Sequence, residues 1–166
     1  MADSDDFPDP ADPAATGVDV APSRPEETRL VLRGVRRHLA RLGFATLDEL
    51  PLASGRRADV VALAEGGGIL IVEVKSSVED FRADQKWPFY RLHCDRLYFA
   101  TSPRVALDIF PEDVGLILAD GYGAEIIREA PEHRLAAATR KAMILRFGRV
   151  AAARLYGLID PGPHGM

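Results

Sequence analysis

A chain of 166 residues, 47% hydrophobic and 28% charged, has the length of one domain and an ordinary globular composition. This excludes two catalytic domains and a wholly disordered, collagen-like or disulfide-stapled chain. The net charge of −4 is unevenly spread: residues 1–25 hold six Asp against one Arg, the rest is near neutral, and only local clustering could make a basic groove.

The single cysteine, Cys94, can form neither an internal disulfide nor a cysteine-rich zinc site, which fits a reducing compartment. Residues 1–25, with prolines at 8, 10, 13, 22 and 25, lack apolar periodicity and are expected to be a disordered acidic tail. The segment has no basic n-region or apolar h-region, and no apolar run approaches the roughly 18 residues of a membrane span, so the expectation is a cytoplasmic protein without a membrane partner. The folded domain is expected over 26–157 and a flexible C-terminus over 158–166.

Pro25 and Glu26-Glu27 predict a helix start. Leu32, Val35, Leu39 and Leu42 then form an apolar stripe, with Arg29, Arg33, Arg36, Arg37 and Arg41 on other parts of the surface, until Gly43 ends the helix. The arginine side reads either as a phosphate-contacting surface or as a solvated face. Phe44–Leu52 is irregularly strand-like. Residues 57–64 read as a strand, Glu65-Gly66-Gly67-Gly68 as a turn, and 69–75 as an apolar central strand, giving a β-hairpin.

Ser77 is an N-cap for a helix to about Leu92, with Val78, Phe81, Gln85, Phe89 and Leu92 on its inner stripe and a bend at Pro88. Residues 96–101 form the next strand, parallel to the one ending at Lys75 because a helical crossover joins them. A short helix near 105–109 and a hairpin of 116–119 with 125–128 follow. An Ala-rich segment with Leu135, Ala138, Ala142 and Leu145 at helical spacing then closes the domain on one or two helices.

The chemistry-bearing feature lies at the end of the most apolar strand. Glu73 and Lys75 share the sheet face of Ile69 and Ile71, where charged groups are costly unless they pair, bind a metal or react. The bare string acid-x-Lys arises by chance in about half of such chains, and Asp84-x-Lys86 is a second instance, on the predicted helix. The hairpin, however, pairs positions summing to about 133, which sets Asp59 opposite residue 74, give or take one step. Two carboxylates and a lysine therefore converge. Asp59, Glu73 and the Val74 carbonyl can hold Mg²⁺, with Mn²⁺ as the alternative. The cation would activate water and stabilise charge on phosphorus, and Lys75 would orient the water or neutralise the transition state. The competing reading is a structural salt bridge at a strand end.

Asp59, followed after a glycine turn by Glu73-Val74-Lys75, resembles the PD-(D/E)XK nuclease superfamily, with Ala58 where the superfamily name has proline. The stretch from Arg57-Ala58-Asp59 through Glu73-Val74-Lys75-Ser76-Ser77 to Asp80-Phe81, Asp84, Lys86-Trp87, Tyr90 and Cys94-Asp95 resembles the MmcB family of bacterial DNA-repair-related proteins. The resemblance implies an α/β, restriction-endonuclease-like core of order αβββαβ, a mixed central sheet flanked by helices, and an extra C-terminal hairpin and helix. It implies Asp59, Glu73 and Lys75 as the acid, acid and lysine positions. Glu27 is similar to a metal-proximal glutamate of some members, and an N-terminal helix acid explains it equally. Gln85 and Tyr90 resemble the Gln and Tyr of exonuclease-like members at a different spacing.

Gln85 is also the polar residue on an apolar stripe, either aimed at the sheet end or a hydrogen-bonded core amide. Trp87 stacks on a base or simply packs. Arg29, Arg33, Arg57, Lys86 and Tyr90 are the remaining candidate DNA contacts. The expected function is a metal-dependent nuclease acting on DNA in repair, with DNA and other repair proteins as partners. A non-catalytic nuclease-fold protein that binds DNA or a repair partner is the alternative. The oligomeric state is not legible.

Overall fold

A computed structural model describes residues 22–84 and 86–161. The expectations for most of the tail, for Gln85 and for residues 162–166 fall outside these residues.

Helix α1 (Arg24–Arg41) starts two residues before the expected domain boundary. Glu26 reaches back to accept the Ser23 backbone N–H at 2.9 Å, satisfying a donor that the first helical turn leaves open. Strands β1 (Ala45–Pro51), β2 (Arg57–Leu63) and β3 (Ile69–Val74) follow as an antiparallel meander. The β2–β3 connection is centred on Gly66, with Ala64 N–H donating to the Gly68 carbonyl at 2.9 Å and Gly67 at φ +81, a conformation L side chains rarely adopt. The register is Val60 with Val72 and Val61 with Ile71, so the next step sets Asp59 opposite Glu73, one residue from the position expected.

Helix α2 (Val78–Ala83) is capped by Ser77 Oγ, which accepts the Asp80 N–H at 3.1 Å. The single bent helix expected to Leu92 is corrected here: α2 stops, and a 3-10 helix, Trp87–His93, follows. A proline ring clashes with the carbonyl four residues earlier. For Pro88 that residue is Asp84, where the helix ends (ψ 85). The change to period three also rotates the stripe. Trp87 and Tyr90 face inward, while Phe89 and Leu92, expected inside, are 51% and 63% exposed.

Strand β4 (Arg96–Thr101) pairs parallel with β3, β5 (Gly115–Ala119) parallel with β4, and β6 (Ala124–Arg128) antiparallel with β5. A single mixed sheet of order β1-β2-β3-β4-β5-β6 results. A 3-10 turn, Leu107–Ile109, replaces the short helix expected there. On one sheet face α1 buries Val31, Val35 and Leu39 against Val60, Val72, Tyr98 and Ile117. Gly34 lets α1 approach the β5–β6 turn, since a Cβ there would come within 2.1 Å of the Asp120 carbonyl oxygen.

The other face carries Ile69, Ile71, Phe99 and Leu116 beneath the 3-10 helix and α3 (Ala137–Ile159). The α3 stripe differs from the expected one: Ala138, Ala142 and Leu145 are exposed, whereas Met143 is buried and Ile144, Phe147 and Val150 pack on the core. The rotation is set by Arg140, which forks onto Asp95 at 2.6 and 2.7 Å and reaches the Gly67 carbonyl at 2.8 Å. The helix continues two residues past the expected boundary at 157.

Candidate active site

β2 and β3 run side by side, so alternation puts Asp59 and Glu73 on the same face, that of Ile71 and Phe99. Each binds the other's strand: Glu73 Oε1 accepts the Asp59 N–H at 3.2 Å, and Asp59 Oδ2 accepts the Val74 N–H at 2.8 Å. A strand residue presents its N–H and C=O along the same side, so the Val74 carbonyl also points toward β2, the strand that carries Asp59. Beyond the strand end Lys75 donates its N–H to the Ala100 carbonyl (2.9 Å) and accepts the Thr101 hydroxyl on its own carbonyl (2.7 Å), which ties it to β4.

The electrostatics follow from burial. Glu73 is 3% exposed. Desolvation, then the Asp59 charge, pushes its carboxyl up to about 8. Desolvation likewise raises Asp59. Burial alone would lower Lys75, but the Asp84 hydrogen bond and the neighbouring carboxylates outweigh it and hold the ammonium above its usual range. Lys75 Nζ lies 2.7 Å from Asp84 Oδ2 and 6.0 Å from the Phe99 ring centroid. Burial would raise Asp84 as well, yet the Lys75 hydrogen bond wins and holds its carboxyl low.

Asp84 is the site residue that sequence reasoning passed over. Its string reads as a second acid-x-Lys on a helix, but the break imposed by Pro88 frees its carboxylate to turn toward Lys75. The available signal was the four-residue spacing from Asp84 to Pro88.

Among the other candidates, Glu27 is buried on α1 and its carboxylate accepts from the Ser102 hydroxyl, one residue beyond Thr101. Tyr90 is buried and its hydroxyl donates to the Arg57 carbonyl at 3.1 Å. Trp87 packs edge-on against Phe99 at 5.6 Å, with the Arg91 guanidinium 5.1 Å from its own ring centroid. Tyr90 is therefore closed off from a nucleic acid, while Trp87 is half-buried and packs on the same sheet face as the site. Arg57 pairs with Glu49 at 3.2 Å. Arg29 and Arg33 are exposed on α1, on the sheet face opposite to Glu73, and Lys86 is exposed beside Asp84. The Cys94-Asp95 pair is structural: buried Asp95 accepts Ile69 N–H (2.8 Å) and Leu135 N–H (2.9 Å) in addition to Arg140.

Among the described residues no group of three or more His, Cys, Asp or Glu side chains forms a metal cluster. The donor set still fits Mg²⁺, which keeps several waters and is commonly held by one or two carboxylates together with substrate phosphate. Two adjacent carboxylates, one nearly inaccessible and with the lysine engaged elsewhere, are an environment that a cation would relieve.

The order α1-β1-β2-β3-α2-β4, with an antiparallel meander followed by a parallel fourth strand, defines a restriction-endonuclease-like fold. The description "DNA repair protein MmcB-like" matches residues 16–162, and the chain belongs to this family. A solved protein of unknown function from Silicibacter pomeroyi is similar at 44% identity and TM-score 0.80, covering 84% of this chain and 96% of its own. A repair endonuclease from Pyrococcus abyssi is similar at 18% identity and TM-score 0.33, over 55% of this chain and 42% of that one. No curated protein matches the chain. Among the described residues no helix is long and apolar enough to cross a membrane.

Proposed function

We propose that the protein is a Mg²⁺-dependent nuclease that hydrolyses DNA phosphodiester bonds in repair. The observation that carries this reading is the pairing of partly buried Asp59 with buried Glu73, with Lys75 beyond them, in a chain of a DNA repair family. Asp59, Glu73 and the Val74 carbonyl would hold the cation. When bound, the cation supplies Lewis acidity to a phosphate oxygen and acidifies a water. Lys75, kept charged by Asp84, offers a fixed positive charge where negative charge grows in the transition state. Phe99 and Tyr90 beneath the site limit bulk water and strengthen these electrostatics.

The test is cleavage of labelled duplex, single-stranded, flap and junction DNA by wild-type protein, with Mg²⁺ or with EDTA. Product formed only with the metal supports the reading; no product on any substrate removes it. A second reading, a nuclease-fold protein that binds DNA or a repair partner without cleaving, draws on the internal pairing of Asp59, Glu73 and Lys75. It is the outcome if DNA is bound and remains intact.

A further inference from the structure

The 3-10 helix stacks every third residue, so Lys86, Phe89 and Leu92 form one row along its outer edge, and all three are exposed. Phe89 is half exposed, and the Arg56 guanidinium sits 4.7 Å from its ring centroid. Arg56 comes from the β1–β2 turn, where its carbonyl accepts the Leu52 N–H at 2.7 Å. The row adjoins the site: Lys86 N–H donates to Asp84 Oδ1 at 2.9 Å, while Asp84 Oδ2 holds Lys75. The Arg56 charge also acts on Asp84.

An exposed ring capped by a planar cation, with a lysine one turn away, has the chemistry of a nucleotide platform. The ring and guanidinium offer flat faces for a base, and the cations match the phosphates on either side of it. Within a duplex both faces of a base are covered by its neighbours, so this platform suits an unpaired base. We propose that Phe89 and Arg56, with Lys86, stack an unpaired nucleotide beside the Asp59–Glu73–Lys75 site. This proposal rests on the DNA-cleaving reading and narrows it: the substrate presents single-stranded DNA to the site, as a strand or as an unpaired end.

Fluorescence anisotropy tests this with a labelled single strand and a duplex of the same length, Ca²⁺ replacing Mg²⁺, for wild type, Phe89→Ala, Phe89→Trp and Arg56→Ala. The wild type is expected to bind the single strand more tightly than the duplex. Phe89→Ala should weaken single-strand binding about tenfold and duplex binding less than about twofold, with Phe89→Trp retaining wild-type affinity. Arg56→Ala should weaken the single strand several-fold and provides a variant that leaves the ring in place. Equal losses on both DNAs, or no loss on the single strand, would overturn the platform and leave the nuclease reading standing. A wild type that binds neither DNA would overturn the DNA reading itself.

Discussion

Lys75 Nζ is paired with Asp84 Oδ2 at 2.7 Å, and both side chains are largely buried; the lysine of the strand-end trio is thus held by the residue at which α2 ends. Asp84→Asn keeps the shape and removes the charge. Losing a hydrogen bond between charged groups should lower stability by about 2 kcal/mol. Removing an outer partner of a working group should slow cleavage about 10–100-fold. Urea denaturation and single-turnover rates measure the two effects. An unchanged rate would mean that Asp84 does not position Lys75.

The raised carboxyl of Glu73 predicts a pH dependence of stability without metal. Its folded value is about 8 against an ordinary value of 4.5. Between these values the folded state holds a proton that the unfolded state has lost. The resulting stability is fully present below pH 4.5, falls as pH rises and is gone above 8. Asp59 shifts in the same direction. His93, lowered by burial and then Arg146, opposes them, so the useful quantity is the difference between wild type and Glu73→Gln. In EDTA, the stability of wild type relative to that variant should decline from pH 5 to pH 8, and Mg²⁺ should reverse the decline with release of a proton. A difference that rises with pH in EDTA would contradict the assignment.

Asp95 predicts an effect on the fold that is separate from the site. Its carboxylate joins β3, residue 135 and α3 through Ile69, Leu135 and Arg140. Asp95→Ala leaves those donors without their acceptor and should destabilise by about 3 kcal/mol. Arg140 orients α3, so thermal unfolding of Arg140→Ala should also shift downward, and the double variant should lose less than the sum of the two. Full additivity would show that the pair does not act as a unit.

The β2–β3 hairpin and β4 were legible because apolar runs and a glycine turn leave few alternatives, and they brought Asp59 to Glu73 within one ladder step. Two features were not legible. The 78–92 segment has apolar spacing suited to one helix, and the conflict between Pro88 and the Asp84 carbonyl is what divides it. The inward face of α3 depends on Asp95, 45 residues before Arg140, a long-range contact that local periodicity does not report. The role of Asp84 is hidden for the first reason, and the inward packing of Tyr90, which reads from the sequence as a candidate DNA contact, and of Trp87, which reads as a ring that either stacks or packs, depends on that same break.

The most direct test of a metal-dependent hydrolytic site at Asp59, Glu73 and Lys75 compares wild type with Lys75→Ala and Glu73→Gln on one DNA substrate. Cleavage is followed under single turnover in Mg²⁺ and affinity in Ca²⁺. A group acting on developing charge affects rate more than binding. Both variants should therefore cleave on the order of 10²-fold more slowly or worse, with affinity changed far less and circular dichroism unchanged. Folded variants that cleave at the wild-type rate would contradict the assignment of this site.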